Sequence, residues 1–239
     1  MPEGVAAGIA LAMALIPATG EARAPSCHVP ASLPVPHIEQ PENRREIRRM
    51  PIGGYTLAMS WTPHQCGSLG GSRRGDMQCD TRISRFGFVL HGLWPDGKGG
   101  SWPQWCRAAG IVPRTVLREN LCTTPSVQLM QHEWAKHGSC MAKTADAYFD
   151  RARVLFAKVE FPDMRLWAAQ RYLTAGDFAG AIARQNPGMR IDMLRIQASR
   201  YGMLSEVWLC LDTAFRPTRC PVGKAGLSPN ARIRIRSGY

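Results

Sequence analysis

Phe86-Gly-Phe-Val-Leu-His91, followed at once by Gly92-Leu-Trp-Pro95, is the stretch that decides the fold class. Its apolar run is short and is bounded by turn-forming residues, a pattern that favours a strand inside a sheet. We therefore expect a central strand that ends at the glycine and proline. Upstream, residues 55–61 alternate with a period of two, as a half-buried strand does. Downstream, residues 190–199 and 206–212 predict two paired strands.

Three further stretches predict helices. Residues 129–140 contain neither proline nor a β-branched run, and Thr144 is placed to cap a helix that reaches about Val159. A shorter helix is expected at 164–173. Strands and helices do not alternate regularly, so the pattern predicts an α+β fold, with one domain over residues 51–239, and not a doubly wound sheet.

Residues 1–24 have the pattern of a cleaved export signal. The apolar run 4–17 is too short to cross a bilayer, and Ala22-Arg23-Ala24 offers small residues at the positions that a signal peptidase recognises. The segment before the run fits less well, because it carries Glu3 and no basic residue. We expect cleavage after Ala24, a secreted or periplasmic product, and no membrane span.

Basic residues outnumber acidic ones by 30 to 18, which gives a formal net charge of +12. Such a surplus favours a polyanionic partner, because contacts to phosphate dominate the affinity of proteins for nucleic acid. A secreted protein that is merely basic remains the alternative at this point. Residues 25–50 contain several prolines and predict an extended N-terminal arm around the domain. The basic cluster of this arm consists of Arg44, Arg45, Arg48 and Arg49.

The eight cysteines all follow the proposed cleavage site. An even number of cysteines in an exported chain predicts four disulfides. Zinc binding is the alternative, but no two cysteines have the close spacing that structural zinc sites usually show. Eight cysteines allow on the order of 100 pairings, so their number alone does not choose among them.

The segment His132-Glu-Trp-Ala-Lys-His137 contains several groups that perform acid–base chemistry. On a helix, Lys136, Glu133 and His137 fall at about 40°, 100° and 140° from His132, and so share one face. A solvated helix face is the alternative. Zinc proteases place their two histidines at i and i+4, whereas the spacing here is i+5 and a lysine intervenes, so we expect no metal.

The two blocks together resemble the ribonuclease T2 family of transferase-type acid ribonucleases. Residues 88–95 are similar to the first signature of that family, and residues 132–140 to the second. Weaker similarity extends the resemblance over roughly residues 52–222. It implies the family's α+β fold, a central antiparallel sheet with packed helices, and an endoribonuclease that acts on single-stranded RNA with broad base specificity and without a cofactor.

The resemblance also implies a mechanism. His137 would take the proton from the ribose 2′-hydroxyl and His91 would protonate the departing 5′-oxygen, giving a 2′,3′-cyclic phosphate that the same pair opens to a 3′-phosphate. Lys136 and His132 would stabilise the negative charge of the transition state. Glu133 would either polarise the phosphoryl group or hold a neighbouring histidine. DNA lacks the 2′-hydroxyl, so it should bind without being cut.

Substrate contacts and disulfides follow from the same resemblance. Trp94 and Asp96 would line the first base pocket, with Trp102 where many relatives have tyrosine. Leu129 is the candidate for the second base site, and His64 is interpreted as a surface or packing residue. The implied disulfides are Cys106–Cys140, Cys210–Cys220, Cys66–Cys79 and Cys27–Cys122.

Two other functions are weighed against the endoribonuclease, which we expect to be a monomer. A catalytically silent RNA-binding relative would keep the basic surface and should lose a histidine of the pair, yet His91 and His137 are both present. A zinc hydrolase is disfavoured by the i+5 spacing and by the lack of a third suitable ligand.

Overall fold

A computed structural model describes residues 26–68, 70 and 74–238 of the chain. The proposed export signal, residues 1–24, lies outside the described residues. In chain order the elements are β1 (Ser26–Cys27), β2 (Ile52–Trp61), α1 (Thr62–Ser68), β3 (Ser84–Arg85), β4 (Phe88–Gly97), α2 (Arg114–Asn120), α3 (Val127–Glu133), α4 (Ser139–Met141), α5 (Ala145–Ala157), α6 (Met164–Ala168), α7 (Ala175–Gln185), β5 (Leu194–Ala198) and β6 (Leu204–Leu211). A π-helical turn (Trp134–Gly138) joins α3 to α4, and 3-10 turns lie at Arg44–Glu46 and Ile191–Met193.

Four strands form an antiparallel sheet in the order β4-β2-β6-β5, and β1 pairs with β3 in a separate two-stranded ladder. The α+β prediction, an antiparallel sheet with packed helices, is confirmed. The expectation of a central strand at residues 86–91 is wrong, because β4 lies at the edge of the sheet and runs through Gly92 and Pro95 to Gly97. An edge strand tolerates proline, since one side of its backbone needs no sheet partner.

The two faces of the sheet differ in character. On β2, Leu57, Met59 and Trp61 join the main hydrophobic core together with Tyr148 and Phe156 of α5. The alternating residues Thr56 and Ser60 are also buried, but against polar side chains. Residues 55–61 are therefore buried on both faces and not half-buried as expected, because side chains from neighbouring strands cover the polar face.

The predicted helices are present with shifted bounds. The helix expected at 129–140 is the α3–π–α4 segment, whose five-residue π turn departs from the regular helical period. Thr144 caps α5, and its side chain accepts a hydrogen bond from the backbone of Ala147. The helix expected at 164–173 ends already at Ala168. The two strands predicted near the C-terminus correspond to β5 and β6 and pair as expected.

Four disulfides fasten the described chain: Cys27–Cys122, Cys66–Cys79, Cys106–Cys140 and Cys210–Cys220. These are the pairs that the resemblance implies. Residues 26–50, here called the arm, contribute Leu33 to the core and form a bridge between Arg48 and Gln104. Within the described ranges, the helices lack the length and apolar character needed to cross a membrane.

Candidate active site

A β-bulge in β4 aims His91 at the site. Met59 of β2 pairs with Leu90, and Ala58 pairs with Gly92, so His91 is the extra residue of its strand. Leu90 and Leu93 both face the core, although residues three positions apart on a regular strand point to opposite faces. The bulge therefore reverses the alternation of side chains along β4. His91, Trp94 and Asp96 consequently lie on the polar face. Bulges re-aim side chains in this way beside many active sites.

Glu206 of β6 holds the His91 ring. Nδ1 of His91 donates a hydrogen bond to Oε1 of Glu206 at 2.6 Å, and Ser60 donates to the same oxygen at 2.7 Å. Trp208 donates to the other carboxylate oxygen at 2.7 Å. Burial alone would raise the pKa of Glu206, but these hydrogen bonds and the charge of His91 lower it to about 2. The carboxylate is therefore ionised near neutral pH.

The other ring nitrogen of His91 faces Glu133, at the end of α3. Nε2 of His91 lies 3.6 Å from Oε1 of Glu133, whose second oxygen accepts a hydrogen bond from the Trp94 indole at 2.8 Å. Burial raises the pKa of Glu133 to about 7, against the opposing effects of His91 and Trp94. The Tyr148 hydroxyl fixes the backbone beside Trp94, because it accepts a hydrogen bond from the N–H of Leu93 and donates one to its carbonyl, each at 3.2 Å.

The flanking carboxylates decide the protonation of His91. Burial alone would lower the pKa of His91, but the hydrogen bond to Glu206 and the negative charges of Glu133 and Glu206 outweigh that effect. The pKa of His91 is raised as a result. Because a raised pKa extends the protonated form to higher pH, His91 is suited to donate a proton from Nε2.

His137, in the π turn, differs from His91 in having cations and not carboxylates among the charged groups that shift its pKa. Its side chain is buried, its ring lies 5.7 Å from the ring of Trp94, and its Nδ1 has no hydrogen-bond partner among the described residues. Burial, followed by the charge of Lys136, lowers the pKa of His137 well below its usual value. His137 is therefore neutral near neutral pH and can accept a proton.

His132 and Lys136 lie on the more exposed side of the same helical segment. Nδ1 of His132 is 3.4 Å from a carboxylate oxygen of Glu39, and the Trp105 ring meets the imidazole edge-on at 5.8 Å. Burial, followed by the charge of Lys136, lowers the pKa of His132. Trp105 has a φ of +53° and donates its backbone N–H to the carbonyl of Lys136 at 2.8 Å, so a strained residue ties the neighbouring loop to the π turn.

Of the residues expected to contact the RNA bases, Trp94 and Asp96 lie on the same face of β4 as His91. Trp94 lies between the rings of His91, His137 and Trp208. Asp96 has both oxygens engaged, one by Thr56 and one by Lys224, each at 2.6 Å.

Within the described residues, the Trp102 ring makes no ring contact with Trp94, His91 or His137. Trp102 is 45% exposed and contacts Arg48 and Gln104. Leu129 is half-buried on α3.

Three contributors were not among the predicted site residues. Glu206 and Lys224 are distant from the signature blocks along the chain, and Glu39 belongs to the arm. The signal that marks Glu206 is a carboxylate on a strand whose second neighbours along the chain, Leu204 and Trp208, are apolar, because such a residue requires a partner when buried. Over the described ranges, no group of three or more His, Cys, Asp or Glu side chains has an arrangement that could hold a metal ion.

Gly92 leaves the space that the Glu133 carboxylate occupies. A Cβ added at Gly92 would overlap that carboxylate, lying 2.6 Å from its carbon and 2.7 Å from the indole nitrogen of Trp94. We expect Gly92→Ala to lower the free energy of unfolding by about 1–3 kcal/mol, the usual cost of overpacking. Urea denaturation measures this change.

Gly110→Ala is the matched control, since a Cβ there meets nothing within 4 Å. The cost of Gly92→Ala should fall when Glu133 is first replaced by Ala, because the overlapping group is gone. An equal cost in both backgrounds would show that the carboxylate is not what excludes a side chain at Gly92.

Comparison with known proteins gives a consistent result. The model of the ribonuclease T2 family matches residues 52–220. A protein of Haemophilus influenzae named "Probable ribonuclease" is 29% identical over 184 residues, covering 72% of this chain and 62% of the relative. A "Ribonuclease" of Aeromonas hydrophila is 35% identical over 164 residues, covering 66% of this chain and 71% of the relative. The match thus spans less than two thirds of the Haemophilus protein.

Solved structures share the fold. The structure of RNase NT in complex with 5′-AMP has a TM-score of 0.62 at 22% identity and covers 80% of this chain and all of its own. An RNase-related protein from Calystegia sepium has a TM-score of 0.60 at 20% identity, covering 78% of this chain and 98% of its own. At this level of identity the likeness concerns the fold.

Proposed function

Because the chain belongs to the ribonuclease T2 family, we propose that it is an endoribonuclease that cleaves single-stranded RNA with broad base specificity, first to a 2′,3′-cyclic phosphate and then to a 3′-phosphate. One observation carries the proposal: two imidazoles meet around Trp94 with their pKa values shifted in opposite directions. Groups whose surroundings separate their pKa values in this way are suited to serve as acid and base.

In the first step, neutral His137 takes the proton of the ribose 2′-hydroxyl. The 2′-oxygen attacks phosphorus, the bond from phosphorus to the 5′-oxygen breaks, and the leaving oxygen receives the proton of His91. The raised pKa of His91 and the lowered pKa of His137 support these assignments. In the second step the roles reverse: His91 activates water and His137 protonates the 2′-oxygen.

Three further side chains would stabilise the transition state or set the protonation of His91. Lys136 would balance the negative charge that grows on the phosphorane oxygens, and His132, whose pKa is lowered by burial and by Lys136, would donate a hydrogen bond to them as a neutral imidazole. Glu133 contributes to the raised pKa of His91 through its charge. When protonated, which a pKa of about 7 permits near neutrality, Glu133 can instead donate a hydrogen bond to a phosphoryl oxygen.

We also propose that the protein works in an oxidising compartment, secreted or periplasmic. The four disulfides of the described chain support this location, since such bonds form and persist outside the reducing cytosol. The signal pattern at residues 1–24 agrees with it.

The proposed activity is tested by incubating the oxidised protein with RNA and with DNA, each with excess EDTA. We expect RNA to be cut with EDTA present and DNA to remain intact, because the nucleophile is the 2′-hydroxyl and the acid and base are side chains. Binding of RNA without cleavage would instead indicate a catalytically silent relative. Cleavage that EDTA abolishes would contradict the proposed mechanism.

A further inference from the structure

Besides Glu39, the arm brings Arg48 close to the site. Arg48 precedes the matched residues, 52–220. Its backbone exchanges two hydrogen bonds of 3.0 Å with Gln104, and its Nε donates to the carbonyl of Trp102 at 2.8 Å. Residues 102–106, here called the rim loop, are therefore held from one side by the arm.

The rim loop is held from its other side by the catalytic segment. Trp105 donates its backbone N–H to the carbonyl of Lys136, and Cys106 is disulfide-bonded to Cys140. Arg48 is thus separated from the π turn by the width of one loop. Its charge is one of the smaller causes, after burial and the nearer cations, that lower the pKa of His137.

The Arg48 guanidinium retains unused hydrogen-bonding capacity. Its central carbon lies 4.6 Å from the centre of the Trp102 ring, and in the described part of the chain the buried Nη2 has no hydrogen-bond partner. An unsatisfied buried donor costs about 1–3 kcal/mol, so a small movement of the side chain that brings this atom to an acceptor such as a phosphate oxygen is favourable. Trp102 is 45% exposed and Arg48 is half-buried, so the stacked pair reaches the surface beside the site.

We propose that Arg48 binds a second phosphate of the RNA, the one on the 5′ side of the nucleotide whose 2′-hydroxyl attacks. A guanidinium fits this role because its planar N–H groups match the oxygens of a phosphate. The side is inferred from where the loop is bonded: Trp105 bonds to Lys136, the neighbour of His137, the proposed base. The bond from β4 to Ser101, just before the loop, is made by Gly97, six positions beyond His91, which serves the leaving 5′-oxygen. This inference rests on the proposed function.

The test compares dinucleotides that differ by one terminal phosphate. The substrates are NpN, the 5′-phosphorylated pNpN and the 3′-phosphorylated NpNp, and 2′-O-methyl versions of each measure binding without cleavage. We expect pNpN to show a KM and a Kd about tenfold lower than NpN, the usual magnitude for one hydrogen bond to a charged group. NpNp should gain less than twofold, by a rough estimate from charge alone.

Arg48→Gln should remove the advantage of pNpN, measured within that variant as the ratio of kcat/KM for pNpN to kcat/KM for NpN. Arg49→Gln is the matched control: its Nε also bonds to a rim-loop carbonyl, that of Cys106 at 2.7 Å, but its side chain is exposed. It should keep the advantage. Arg48→Lys retains the charge without the planar head and should keep part of the advantage.

Thermal denaturation of each variant separates a loss of binding from a loss of folding. The advantage in the unaltered protein should weaken as salt is added, whether or not Arg48→Gln folds. The inference is overturned if pNpN shows no advantage, if the gain comes from the 3′-phosphate, or if a folded Arg48→Gln variant keeps it. Should no substrate be cut, the proposed function fails, while the 2′-O-methyl ligands still decide the role of Arg48.

Discussion

His91→Ala and His137→Ala are each expected to lower kcat for RNA cleavage by about 10³-fold, within the range that general acid–base catalysis supplies. The first variant removes the proton for the leaving 5′-oxygen, and the second removes the acceptor for the 2′-hydroxyl proton. The Kd for 2′-O-methyl RNA should change only slightly, since the cationic and aromatic groups around the site remain. Steady-state kinetics and fluorescence anisotropy measure the two effects.

His64→Ala provides the matched control. His64 is half-buried on α1 near Arg236 and takes no part in the contacts around His91, so kcat should be unchanged. The variant lacking both His91 and His137 should be scarcely worse than either single variant, because a pair that acts as one unit shows non-additive losses. A single variant that keeps near-full activity would show that the role assigned to its histidine is wrong.

Glu206→Gln is expected to lower kcat at neutral pH by about 10- to 100-fold, by analogy with the range found for carboxylates that orient metal-bound histidines. Glutamine has a similar shape, and its one carbonyl oxygen can still accept hydrogen bonds from Ser60 and His91, but its NH2 group then faces the Trp208 indole, which loses its acceptor. Glutamine also lacks the negative charge that helps to raise the pKa of His91. The pKa of His91 should therefore fall, so that less of the acid is protonated at neutral pH.

The sign of the pH dependence distinguishes this positioning role from a purely structural one. Activity requires protonated His91, so it is lost as the pH rises through the pKa of His91. In Glu206→Gln the alkaline limb of the profile should move to lower pH, while the acidic limb, set by His137, stays in place. Part of the lost kcat should then return as the pH is lowered. Were His91 the base, the acidic limb would move instead, and activity at low pH would rise.

Glu119→Gln is the control for Glu206→Gln, because it removes the same charge from an exposed position on α2. Its pH profile should match that of the unaltered protein. A uniform loss of kcat at every pH in Glu206→Gln would mean that Glu206 acts only on structure.

Local patterns in the sequence are sufficient for several elements of the fold. The alternation over residues 55–61 predicts β2, and Thr144 marks the start of α5, because both signals depend on neighbouring residues alone. The grouping of His132, Glu133, Lys136 and His137 also follows from local periodicity. The short apolar run at 88–90 predicts a strand but not its place in the sheet, since edge and central strands can share such a run.

Contacts between distant residues could not be predicted in this way. Glu206 is 115 positions from His91, and Lys224 is 128 positions from Asp96. The bulge at His91 depends on the register against β2, which no local pattern specifies. The π turn likewise departs from the regular 100° spacing assumed for an ideal helix. Burial and long-range contacts shift the pKa values of His91 and His137 in opposite directions, which the local sequence alone does not predict.

An NMR titration of the histidine ring carbons gives the most direct test of that pair. The six histidines can be assigned with single substitutions, and each signal reports its own protonation. We expect His91 to titrate above the usual value of about 6.5 and His137 to titrate below it. If His137 held its proton to higher pH than His91, the assignment of acid and base, and with it the proposed mechanism, would be contradicted.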